Sequence, residues 1–186
     1  MRLTLPLTLT VARVAAIPVV LALFFLDWHY SRYAATVLYA AAGITDWLDG
    51  WLARRWGQTS KFGAFLDPVA DKLLVAVCLV MLLRDDPSAV LAVVVAVIIG
   101  REITISALRE WMAELGQRTS VAVSRIGKWK TGFQMTAIGM MIWKTSVLGL
   151  PIYAIGYGLL FVAAALTIWS MAVYLRAAWP ILSQDE

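Results

Sequence analysis

One cysteine, Cys78, and one histidine, His29, are all that this sequence of 186 residues contains of the two side chains that hold most zinc sites. A lone cysteine cannot form an intrachain disulfide. With His29 read as an interfacial residue, any metal must be held by oxygen, which favours Mg²⁺, Mn²⁺ or Ca²⁺. Charge is also scarce, since Asp, Glu, Lys and Arg make up 15% of the chain. There is no internal repeat, no low-complexity segment and no polar stretch long enough for a separate soluble domain. The chain is instead apolar: 61% hydrophobic residues, nine Trp and a mean hydropathy of +0.78 exceed what a soluble core requires. This is the composition of an integral membrane protein.

The apolar residues fall into six segments. Residues 3 to 26 carry one charge, Arg13, and are read as an interfacial segment running into a first span that ends at the belt Asp27-Trp28-His29-Tyr30. A cleaved signal peptide is the rival reading. Arg13 interrupts the apolar core such a peptide needs and no small-residue cleavage site precedes Asp27, so the segment is expected to stay. Further spans are predicted over 33 to 56, 62 to 83, 88 to about 116, 124 to 143 and 151 to 179. The expectation is an all-α integral membrane protein, a single domain over residues 1 to 186 with six transmembrane helices.

The net charge of +4 does not make a nucleic-acid binder, because the basic residues are spread between apolar spans. They do give the chain a direction. An even number of spans puts both termini on one side, and of the 16 Lys and Arg all but Arg32, Arg84 and Lys144 lie on that side. By the positive-inside rule it is the cytoplasmic side.

One stretch stands out against this background: DWLDGWLARRWGQTSKFGAFLDPVAD, from Asp46 to Asp71. A carboxylate in a membrane segment costs about 2.5–3.5 kcal/mol on insertion scales and marks a functional site by default. Asp46 and Asp49 are three residues apart and Asp67 and Asp71 four apart, so on helices each pair shares a face. Counted outward from Gln58 and Thr59, the two pairs come level in a helical hairpin. At about 1.5 Å per residue they lie roughly 10–20 Å from the turn, at the shallow end of the membrane. Four carboxylates there repel unless cations neutralise them, which describes a cage for one or two hard divalent ions. Gly63, Asp67 and Asp71 form an i, i+4, i+8 stripe, and Gly50 follows Asp49, so bare backbone lies beside the acids. Arg54, one turn beyond Gly50, can pair with an anion that the metals also bind, such as a pyrophosphate. Taken singly, each glycine is equally a close-packing residue, and each aspartate could be the partner of a neighbouring arginine.

Asp46-x-x-Asp49-Gly50-x-x-Ala53-Arg54, then eight residues, then Gly63-x-x-x-Asp67-x-x-x-Asp71, resembles the signature of the CDP-alcohol phosphotransferases. The resemblance implies that family's six-helix membrane fold, usually dimeric, in which an alcohol displaces CMP from a CDP-linked substrate. It implies that Asp46, Asp49, Asp67 and Asp71 bind the metals, two ions of Mg²⁺ or Mn²⁺, with Asp71 also the catalytic base. Gly50, Arg54, Ser60 and Gly63 would form the CDP-diacylglycerol site. REITISALREWMAELG from Arg101 and SVAVSRIGKWKT from Ser120 resemble bacterial members of the family that use glycerol 3-phosphate as acceptor, which implies an inner-membrane enzyme of phospholipid biosynthesis.

Arg101 and Arg109 recur eight apart on one helix and Lys128 opens the next span near the same level, so the three are candidates to grip the acceptor phosphate. Arg118, Arg125 and Lys130 are read as ordinary positive-inside residues. One departure concerns Pro6, which is followed by Leu7 where the family commonly has a polar residue. Thr10 and Arg13 keep the later positions, so only an N-terminal contact to the nucleotide is in question. Three other functions compete: a family member with another acceptor, a prenyltransferase with paired aspartates around magnesium, and a cation-coupled transporter. The prenyltransferase gives no reason for Gly50, Arg54 and Gly63. The transporter fits poorly with acids clustered at one face and no repeat.

Overall fold

The computed structural model describes residues 5–56, 61–116 and 125–182. Inside these segments a few side chains, among them those of Asp49, Arg54 and Lys128, lie outside the described set. The described residues form six helices: α1 (Leu5–Phe25), α2 (Ser31–Trp56), α3 (Lys61–Asp85), α4 (Ala89–Glu114), α5 (Arg125–Trp143) and α6 (Ile152–Leu182). Each lies on one of the six segments expected from the sequence, and polar or turn-forming residues separate them. Asp85-Asp86-Pro87 ends α3, and Ser88 caps α4 by accepting a hydrogen bond from the Leu91 amide at 3.1 Å. Gly116, at φ +74°, takes the left-handed conformation just past α4.

Two expectations are modified. The interfacial segment and first span form one uninterrupted helix, α1. The hairpin of α2 and α3 is also splayed: among the described residues these helices touch each other little, and both pack extensively on α1. Among the described residues the α5–α6 pairing is the most extensive, and α4 packs on α6.

Three helices, α1, α4 and α6, are long and apolar enough on their own to cross a membrane. No more than 33% of each apolar window is buried inside the protein, so most of that surface faces outward. Val19, Val37, Val80, Val93, Phe161 and Trp169 are among the large apolar side chains left exposed. An exterior this apolar fits lipid, not water. Inside, Val20, Tyr39, Leu79, Leu91, Ile98, Ile138 and Leu160 join all six helices in one core. A second, smaller core of Ile105, Met112, Tyr174 and Ala178 binds the far half of α4 to α6.

Candidate active site

The site begins on α1, a helix with no acid of its own. Thr10 and Arg13 are three residues apart and therefore share a face, and both are buried. Arg13 Nη1 donates to Asp46 Oδ1 of α2 at 2.6 Å, and Thr10 Oγ1 donates to Asp67 Oδ1 of α3 at 2.5 Å. One turn of α1 thus gathers the leading acid of each pair. Asp71 stands one turn beyond Asp67 on α3 and lines the cavity beside this polar centre.

The other wall comes from α4, α5 and α6. A cavity of about 880 Å³ is lined by Asp71 and Lys72 of α3, Arg101, Glu102, Ser106, Arg109 and Glu110 of α4, Lys130 and Thr131 of α5, and Tyr174 of α6. Phe65, Val69, Ile103 and Ile105 make part of its lining apolar. A cavity of this size suits a small-molecule ligand. Its lining is amphipathic, with cations and carboxylates beside hydrocarbon.

Of the residues singled out from the sequence, Asp71, Arg101 and Arg109 share this cavity, and Asp46 and Asp67 meet through α1. Gly63 is buried on α3, two turns before Asp71. Asp49, Gly50 and Arg54 lie in the second half of α2, and Lys128 in the first turn of α5. Ser60 lies outside the described residues. Among the described residues no three His, Cys, Asp or Glu side chains are grouped closely enough to hold an ion. Asp46 and Asp67 each use one oxygen toward α1, and a carboxylate offers two oxygens with about four lone-pair positions, so each keeps donor atoms of the hard kind that a divalent cation takes.

Several functional candidates are absent from the sequence reading. Lys130, taken there as an ordinary cytoplasmic-side cation, is 3% exposed and ion-paired to Glu102, which also reaches Arg101 at 3.4 Å. A signal for it exists. Lys130, Gln134, Ala137, Ile138 and Met141 follow the helical period and are all buried, so Lys130 stands on the inner face of α5. The same kind of signal marks Ser170 and Tyr174, which with Thr167 stand at i, i+3 and i+7 on the buried face of α6, but their partners depend on which helix packs opposite.

A family model described as CDP-alcohol phosphatidyltransferase matches residues 3–169 of the chain. Two curated relatives are the CDP-diacylglycerol--glycerol-3-phosphate 3-phosphatidyltransferases of Shigella flexneri serotype 5b and Escherichia coli K12. Each is 49% identical over 178 residues, covering 96% of this chain and 96% of the relative.

Proposed function

This chain belongs to the CDP-alcohol phosphatidyltransferase family, and we propose that it transfers the phosphatidyl group of CDP-diacylglycerol to glycerol 3-phosphate, giving phosphatidylglycerophosphate and CMP. The observation that carries this reading is the single cavity shared by Asp71, Arg101, Arg109 and Lys130, beside the polar centre that Thr10 and Arg13 gather. It has the parts the reaction needs: a carboxylate to take a proton, cations for a phosphate, and an apolar wall for a lipid.

Asp46, Asp49, Asp67 and Asp71 would hold the divalent ions, two of Mg²⁺ or Mn²⁺. When bound, these supply positive charge against the donor's pyrophosphate and the departing CMP. Gly50 and Gly63 leave room for the CDP moiety, Arg54 pairs with its phosphates, and Ser60 contacts it. Arg101, Arg109 and Lys128 bind the phosphate of glycerol 3-phosphate, and Lys130 adds to the same positive field. So oriented, the acceptor presents its 1-hydroxyl to Asp71, which takes the proton. The freed oxygen bonds to the phosphorus bearing diacylglycerol, and the bond from that phosphorus to CMP breaks. Acyl chains remain in lipid while cytidine and acceptor arrive from water, which is the advantage of a site at the shallow end of the membrane. The distribution of Lys and Arg supports a bacterial inner-membrane protein with the site facing the cytoplasm. The resemblance adds a homodimer.

The test is release of CMP from CDP-diacylglycerol by purified enzyme in detergent. Release should require both glycerol 3-phosphate and a divalent ion, stop with chelator, and resume with Mg²⁺ or Mn²⁺. Serine or inositol phosphate should not replace the acceptor. In the same assay Asp71→Asn should lose roughly 10²–10⁴-fold in kcat, the usual worth of a general base, while keeping most of its affinity for CDP-diacylglycerol. Release without acceptor, or full turnover by Asp71→Asn, contradicts the assignment.

A further inference from the structure

Arg101 and Arg109 stand two turns apart on α4, and both are held by side chains of α6. Arg101 Nη2 donates to Ser170 Oγ at 2.9 Å, and Ser170 Oγ in turn donates to the Thr167 carbonyl at 2.9 Å. Arg109 Nη2 donates to the Tyr174 hydroxyl at 3.1 Å. The Tyr174 ring also serves both guanidinium groups, with its centroid 5.3 Å from Arg109 Cζ and 5.8 Å from Arg101 Cζ. Ser170 and Tyr174 are 1% and 4% exposed, so neither can be reorganised cheaply by solvent. Nε of each arginine is buried and makes no hydrogen bond among the described residues, and Arg101 Nη1 donates to Glu102 Oε1 at 3.4 Å.

We infer that Ser170 and Tyr174 are positioning residues that fix Arg101 and Arg109 for the acceptor phosphate; this rests on the reading of the cavity given above. An arginine has many rotamers, and a ligand that must order two of them loses affinity in doing so. Here the ordering is done before the ligand arrives: a hydroxyl holds one guanidinium, a phenol the other, and one aromatic face lies near both. The inference concerns acceptor recognition in particular, because the two arginines held by α6 are the ones read above as binding the acceptor phosphate.

Steady-state kinetics with each substrate varied in turn tests this. Tyr174→Phe keeps the ring and removes the hydroxyl, so KM for glycerol 3-phosphate should rise about tenfold, the usual worth of a hydrogen bond to a charged group. Ser170→Ala should behave similarly through Arg101. Tyr174→Leu removes the ring as well and should raise KM by a further several-fold. In all three, kcat at saturating acceptor and KM for CDP-diacylglycerol should stay within about twofold of wild type, because the donor does not bind through these arginines. A purely structural role would lower the yield or melting temperature of folded enzyme without separating the two KM values, and that result overturns the inference. So does an unchanged KM for glycerol 3-phosphate in Tyr174→Phe. Wild-type enzyme that shows no turnover dependent on glycerol 3-phosphate overturns instead the reading on which the inference stands, and the inference with it.

Discussion

Asp46 illustrates how one side chain serves two ends. Its carboxylate is proposed to bind metal, yet it is also the partner of Arg13, whose side chain is 1% exposed against 42% for Asp46. Removing the carboxylate takes from a buried cation the partner it holds at 2.6 Å. The loss should fall between the roughly 1 kcal/mol of an exposed pair and the roughly 3–5 kcal/mol of breaking a buried one. Because Asp46 is partly solvated, Asp46→Ala should destabilise the metal-free protein by about 2 kcal/mol as well as abolish turnover. Thermal melting in detergent with chelator present measures it; a melting temperature equal to wild type would show that Arg13 does not depend on Asp46. The acids themselves were legible from their spacing and their cost in a membrane. Their tie to Thr10 and Arg13 was not, since nothing in residues 46 to 71 says which helix will face them.

Among the elements, the α5–α6 crossing depends on Gly156. A Cβ there would lie 2.9 Å from the Ala137 carbonyl oxygen and 2.9 Å from Met140 Cβ, neither of which can swing aside. Replacing glycine by alanine in a helix gains about 1 kcal/mol in propensity, while overpacking costs about 1–3 kcal/mol. Backbone on one side of the clash puts the cost high in that range. Gly156→Ala should therefore lower the melting temperature, whereas Gly158→Ala, whose Cβ would meet nothing within 4 Å, should leave it unchanged or raise it. Equal behaviour of the two variants would refute the crossing as described. Helix positions were readable because hydrocarbon thickness fixes the length of each apolar run. The predicted spans 33–56 and 62–83 correspond to α2 and α3 at Ser31–Trp56 and Lys61–Asp85. Which helices pair was not readable: similar apolar surfaces on six helices give no unique match, and small residues such as Gly156 fix the approach only when a partner is specified.

For the whole molecule, the orientation in the membrane is open to direct test. Cys78 is buried, so the native chain should give little background with thiol reagents. Leu148 is 96% exposed in the turn between α5 and α6, on the side expected to face away from the cytoplasm. Leu148→Cys should react with a membrane-impermeant maleimide in intact spheroplasts, and Arg118→Cys only after lysis. The reverse pattern would place the active site outside the cytoplasm. The sequence by itself determined the apolar medium and the positions of the six helices, and it carries the proposed sidedness and the proposed roles of the four aspartates, because each follows from local composition: apolar length, charge asymmetry and the energy of a carboxylate in lipid. Only the tertiary structure decided that α1 lies against both α2 and α3, that Lys130 turns inward to Glu102, and that α6 holds Arg101 and Arg109. Those facts depend on which surfaces meet, and contacts between residues far apart in the chain leave no pattern in either segment alone.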